Sequence, residues 1–183
     1  MSRRWRILAT ALATALATIG SLAVAQAAYA VDPVITMTNK GSWLCATVLG
    51  TDNGSPVVQS ACNGSVQQQW ARVSLGNGYE LLQSVASTST YPYEPRCLDV
   101  TDGINDNWIP LQVWGCRNTP GVNWRLVYAG IGYQRFYKLQ TKVGGRCMDV
   151  PAGSLVDGEQ LQIYSCTPGT GNDAQLWAVP SHG

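Results

Sequence analysis

Beyond residue 30 the apolar and polar positions alternate in short runs. Leu111-Gln112-Val113-Trp114-Gly115 and Leu161-Gln162-Ile163-Tyr164-Ser165 follow a period of two, and Val57-Val58-Gln59-Ser60-Ala61 does so more loosely. This is the period of a strand with one face buried. Each run leads into a cysteine: Cys62, Cys116 and Cys166. Three other strand-like runs, Ile35–Thr38, Tyr79–Gln83 and Tyr137–Thr141, precede Cys45, Cys97 and Cys147. Turn residues separate the runs: Asp52-Asn53-Gly54, Asp102-Gly103 with Asn105-Asp106-Asn107, and Asp157-Gly158. No amphipathic helix longer than two turns is visible after residue 31. The pattern predicts an all-β chain of about four short strands per segment.

The segments are copies. The first half-cystines are Cys45, Cys97 and Cys147, the second are Cys62, Cys116 and Cys166, and the closing tryptophans are Trp70, Trp124 and Trp177. Steps between equivalent landmarks stay between 50 and 54 residues. A period near fifty also suits a propeller, but a propeller needs at least about four blades. Three units, spanning about 34–77, 78–132 and 133–180, are expected instead to close around a pseudo-threefold axis, which leaves few free sheet edges. The three tryptophans are expected to pack in one shared core, each indole N–H finding a backbone acceptor. Six cysteines allow fifteen connectivities; the repeat favours Cys45–Cys62, Cys97–Cys116 and Cys147–Cys166, since equivalent positions should make equivalent bonds. Loops of this size stabilise by roughly 3 kcal/mol each in the chain-entropy model.

Composition agrees. The chain has 183 residues, with 19 Gly, 9 Pro and 6 Cys. Arg3, Arg4 and Arg6, the uncharged Ile7–Ala25 run and Ala28-Tyr29-Ala30 read as a signal peptide over 1–30, leaving 31–183 as the mature domain. The Ala and Thr content makes that run weakly hydrophobic for a retained anchor. Removing three of the 12 bases leaves nine against 11 acids, a net charge of −2. That excludes a strongly basic nucleic-acid or anionic-membrane binder. No other apolar run approaches the roughly 20 residues of a membrane span. A secreted or extracellular protein, in which disulfides persist, is expected.

Cys97-Leu98-Asp99-Val100 and Cys147-Met148-Asp149-Val150, the Gln-x-aromatic-x-Cys runs, and Gln68-Gln69-Trp70 with Gln175-Leu176-Trp177 resemble the ricin-type β-trefoil lectins and the carbohydrate-binding modules of that type. The resemblance covers about Ile35 to Val179. It implies a β-trefoil and a shallow sugar pocket in each complete repeat. In such a pocket the Asp accepts from sugar hydroxyls, the Gln four before the second Cys supports it, and the aromatic two before that Cys stacks on the ring. Carried over, the third repeat offers Asp149, Gln162 and Tyr164, with Gln175 from the Gln-x-Trp motif. The family's Asn is replaced by Ala174, for which Asn172 or Asp173 is a substitute. The second repeat offers Asp99, Gln112 and Trp114, with Gly121 and Val122 in place of Asn and Gln. The first has Thr47 and Ser60 instead of Asp and aromatic, and is expected to be silent.

The chemistry fits without the family. A carboxylate accepts from two vicinal hydroxyls, and an indole or phenol face covers the apolar face of a sugar at low entropic cost. Alternation puts Gln162 with Tyr164, and Gln112 with Trp114, on one strand face. The bland reading of Asp99 and Asp149 is turn capping. The Ser87–Pro95 insertion, with Tyr91 and Tyr93, and Trp108 are two further features able to extend the second site; the insertion reads first as a variable surface loop.

No enzyme is expected. The single histidine, His182, stands next to the C-terminal residue, so no His-supported nucleophile can be built. Glycoside hydrolysis needs two carboxylates about 5–9.5 Å apart, and Asp99 and Asp149 lie in different repeats. Neither cofactor nor metal is implied, since Cys-x-x-Cys pairs are missing. The expectation is a monomeric lectin for a galactose-, xylan- or arabinan-type glycan. A β-trefoil that binds or inhibits a protein through exposed loops is the alternative, and a small glycosidase on this scaffold is a third reading.

Overall fold

A computed structural model describes residues 34–91, 94–130 and 134–180. The expected leader, Tyr93 and His182 lie outside them.

Among the described residues thirteen strands form in chain order. The first repeat carries β1 (Val34–Ile35), β2 (Thr38–Asn39), β3 (Cys45–Val48), β4 (Val57–Ser60) and β5 (Trp70–Ser74). The second carries β6 (Glu80–Ser84), β7 (Arg96–Val100), β8 (Ile109–Gly115) and β9 (Trp124–Tyr128). The third carries β10 (Phe136–Thr141), β11 (Cys147–Asp149), β12 (Gln162–Tyr164) and β13 (Trp177–Ala178). The four-strand unit holds in all three, with the opening strand of the first repeat split in two. The insertion is not a loop throughout: Val85–Thr90 is a short α-helix, α1. Among the described residues no helix is long and apolar enough to cross a membrane.

The units join by the same registers. The closing Trp of one repeat pairs with the opening strand of the next: Trp70 with Ser84, Trp124 with Thr141, and Trp177 with Asn39. The last of these links the end of the chain to its beginning. Within the sheet, β6, β7, β8, β12, β11, β10 and β9 close a ring, completed by the Glu80–Trp124 pair.

The core lies on the pseudo-threefold axis. Trp70, Trp124 and Trp177 are fully buried there, with Leu82, Leu98, Leu111, Leu139, Met148, Leu161 and Ile163. Each indole Nε1–H donates to the carbonyl just after a first half-cystine: Trp70 to Ala46 (3.1 Å), Trp124 to Leu98 (2.9 Å) and Trp177 to Met148 (3.2 Å). A donor left unpaired in that buried centre would cost about 1–3 kcal/mol. The disulfides Cys45–Cys62, Cys97–Cys116 and Cys147–Cys166 each tie the two arms of one repeat's central hairpin.

Trp124→Phe removes one indole donor, strands the Leu98 carbonyl and leaves a small void. We expect a loss of about 2–4 kcal/mol in urea unfolding. A loss below about 1 kcal/mol would show that the indole bond is not part of what holds the centre together.

Candidate functional site: two carboxylate-floored concavities

Register places the site residues. In the second repeat Asp99 stands opposite Gln112 and Cys97 opposite Trp114. In the third, Asp149 stands opposite Gln162 and Cys147 opposite Tyr164. The inward neighbours Leu111, Val113, Leu161 and Ile163 are fully buried, so alternation turns the Gln and aromatic side chains outwards. In the first repeat Thr47 faces Val58, an apolar residue where the others have Gln, and Cys45 faces Ser60. The missing Gln was visible in the sequence at the same offset from Cys62.

In the third repeat, Gln162 Nε2 donates to Asp149 Oδ1 (2.9 Å) and Gln175 Nε2 to Asp149 Oδ2 (3.1 Å). Gln175 is itself fixed, donating to the Ser165 carbonyl and accepting from Thr167 N–H. The Gln-x-Trp motif thus joins core and site: its Trp enters the centre and its Gln holds the carboxylate. Asp149 forms part of the floor of a concavity of about 340 Å3, with Gln162, Tyr164, Asn172, Ala174 and Trp108 among its walls. Of the two substitutes for the family's Asn, Asn172 lines the concavity, whereas Asp173 turns away to Lys40 (2.5 Å). Asn172 also accepts from Ala174 N–H, which fixes its side chain.

In the second repeat, Gln112 Nε2 donates to Asp99 Oδ2 (2.9 Å). Val122 cannot supply the second bond. Gly121 leaves room instead: a Cβ there would lie 2.5 Å from Asp99 Oδ1. The concavity, about 370 Å3, is lined by Asp99, Asp102, Gln112, Trp114, Arg117 and Gly121, among others. Trp114 is 46% exposed and adjoins a second hollow of about 460 Å3 bounded by Glu94, Arg96 and Arg117.

Asp99 and Asp149 are only 7% and 4% exposed, yet both border open hollows. Burial raises both carboxyls above the ordinary aspartate value. The Gln bonds oppose this at both sites, as does the Val100 backbone at Asp99, while the nearby Asp102 charge adds to the rise there.

Among the described residues, neither of the two features that the sequence offers as an extension of the second site lines it. Tyr91 does not line the second site: its hydroxyl donates to Asp52 Oδ1 (2.6 Å) and its ring lies 4.3 Å from the Arg96 guanidinium. Trp108 lines the third site instead, its ring 5.4 Å from that of Tyr164. The contact crosses a repeat boundary, which linear spacing does not reveal.

Three equivalent hairpins around three indole bonds define a β-trefoil. Residues 123–183 match the family model described as ricin-type beta-trefoil lectin domain-like, so the likeness to ricin-type lectins holds in the third repeat at the level of sequence. Among solved structures, the chain is similar to ThreeFoil, a designed threefold-symmetric protein, at 27% identity and a TM-score of 0.71, covering 81% of this chain and 98% of that one. It is similar to an exo-β-1,3-galactanase from Clostridium thermocellum at 28% identity and a TM-score of 0.71, over 82% of this chain. The chain spans only 30% of that enzyme's length. It also shares its fold with the Macrolepiota procera ricin B-like lectin in complex with lactose, at 16% identity and a TM-score of 0.63, over 81% of this chain and 95% of that one. No curated protein matches the sequence.

Two outcomes test this geometry. Gly121→Ala should displace the Asp99 carboxylate and perturb the Trp114 indole NMR signal while leaving the Tyr164 ring signals in place. In carboxyl-resolved NMR, Asp99 and Asp149 should titrate above the ordinary aspartate range. A raised folded pKa means that their stabilisation is fully present below the unfolded pKa and is lost as pH rises through the folded value. The Asp99→Asn/Asp149→Asn variant should therefore lose less stability than the parent on going from acid to neutral pH.

Proposed function

We propose that this is a secreted, monomeric, non-catalytic lectin that binds a glycan through two shallow sites, centred on Asp99 and Asp149. The observation that carries the reading is the repeated set of a carboxylate held by a cross-strand Gln beside an outward aromatic: Asp99, Gln112 and Trp114, then Asp149, Gln162 and Tyr164. A turn-capping aspartate needs neither the aromatic nor the hollow. Each carboxylate keeps lone pairs free for sugar hydroxyls after accepting its Gln bonds. The ring beside it takes the apolar face of the sugar.

Hollows this shallow, with few polar contacts, reach only about millimolar affinity, near −4 kcal/mol. Two on one rigid body raise the effective concentration of a polymeric ligand at the second site once the first is filled. Galactose-, xylan- and arabinan-type glycans are the candidates. A β-galactoside is the first to try, given the lactose in the Macrolepiota procera complex and the galactanase likeness. The two carboxylates border separate hollows, which suits two binding sites better than an acid–base pair acting on one bond.

The test is titration of Asp99→Ala, Asp149→Ala and the double variant, with the Asn variants as isosteric controls, against arabinogalactan, xylan and arabinan. Each single variant should lose at least about tenfold in apparent affinity for the polymer. The double variant should not bind. Wild-type binding by the double variant overturns the reading. A blank glycan array with the wild-type protein would favour the protein-binding alternative.

A further inference from the structure

Trp108 occupies a position that the other repeats fill with glycine. Gly54, Trp108 and Gly158 each stand eight residues before the second half-cystine of their repeat. All three adopt a left-handed backbone, with φ of 87°, 62° and 87°. Glycine reaches that region freely, whereas a large side chain there is strained and uncommon. The position is also one at which each repeat reaches over the next. Gly54 N–H donates to Val113 O (2.9 Å), Trp108 N–H to Ile163 O (3.0 Å) and Gly158 N–H to Gln59 O (2.8 Å). Each acceptor lies three residues before the neighbour's second half-cystine. A Cβ on Gly54 would lie 3.9 Å from Gln112 Oε1, so this turn overlooks the next repeat's hollow.

The indole of Trp108 is 68% exposed, so burial in the core does not account for it. It stands edge-to-face with Tyr164, the planes at 73°, and both rings line the Asp149 hollow. Its loop is clamped to the third repeat. Arg146 Nε donates to Asn105 Oδ1 (2.9 Å), Arg146 Nη1 to Asn107 Oδ1, and Ser165 N–H to Asn107 Oδ1 (2.8 Å). A strained, exposed aromatic whose loop is held by its own hydrogen bonds is a preorganised wall.

We propose that Trp108 is a specificity-determining residue of the third-repeat site. It gives that site two walls meeting at a corner, for a saccharide longer than one ring: one sugar against Tyr164 above Asp149, the adjoining one against Trp108. The proposal rests on the sugar-binding reading above. Among the described residues the second site, overlooked by Gly54, has no such wall, and it discriminates less between mono- and disaccharide.

The test uses the protein carrying Asp99→Asn, chosen to silence the second site. Tryptophan fluorescence and protein NMR follow titrations of galactose with lactose, xylose with xylobiose, and arabinose with arabinobiose. Variants Trp108→Gly and Asp149→Asn are compared in that background. Trp108→Gly should lower disaccharide affinity about tenfold, change monosaccharide affinity less than twofold, and leave Tm within a few degrees, since glycine suits the backbone there. Asp149→Asn should abolish both. If Asp149→Asn abolishes binding but Trp108→Gly leaves the disaccharide preference intact, the proposal fails and the sugar reading stands. An equal fall for both ligands also overturns it, since the wall would not read length. If no sugar shows binding that depends on Asp149, the sugar reading fails and takes the proposal with it.

Discussion

Three indole N–H groups in a fully buried apolar centre each require an acceptor, and that requirement organises the molecule. The acceptor is always the carbonyl following the first half-cystine. The bond pins the start of each central hairpin against the strand that closes the same repeat. The disulfide then fixes the hairpin's second arm. Because strand side chains alternate, the residue two positions after the half-cystine is set by the same anchoring. At Asp99 and Asp149 that residue is a carboxylate beside an open hollow. The centre and the sites are two ends of one device.

The two sites solve the cost of a shielded carboxylate differently. Asp149 accepts a bond on each oxygen, from Gln162 and Gln175. Asp99 has Gln112 alone among side-chain donors, with Val122 where the second Gln would be and Gly121 leaving space beside Oδ1. Hydrogen bonds to the charged form offset desolvation, so the Asp149 carboxylate is the more firmly held, and Asp99 has more freedom. Trp114 adds breadth there by adjoining a further hollow. The first repeat, with Thr47, Val58 and Ser60, keeps the hairpin and the indole bond without the polar set.

Much of this was legible in the sequence because it depends on local spacing. The alternation in Leu161–Ser165 assigned the faces, and the threefold register of Cys and Trp gave the fold and the disulfide pairs. What escaped notice depends on contacts between repeats. Trp108 and Tyr164 lie far apart in the chain and meet only because β8 pairs with β12. The α1 helix in the insertion escaped as well: Val85–Thr90 is a Ser/Thr-rich stretch of low helix propensity with no amphipathic stripe. Tyr91 is drawn away by Asp52 of the first repeat, a partner that no spacing rule indicates.

The turns before the second half-cystines lean in a fixed rotation, first repeat onto second, second onto third, third onto first. In the third repeat's hollow, floor and rim are therefore written in different stretches of the chain, Asp149 in one repeat and Trp108 in another. A repeat copied or grafted elsewhere would carry its carboxylate with it but leave its overhang behind, and would cast its own overhang on a stranger. A change at the overhang of one copy alters the surface of its downstream neighbour, so the three units do not diverge independently.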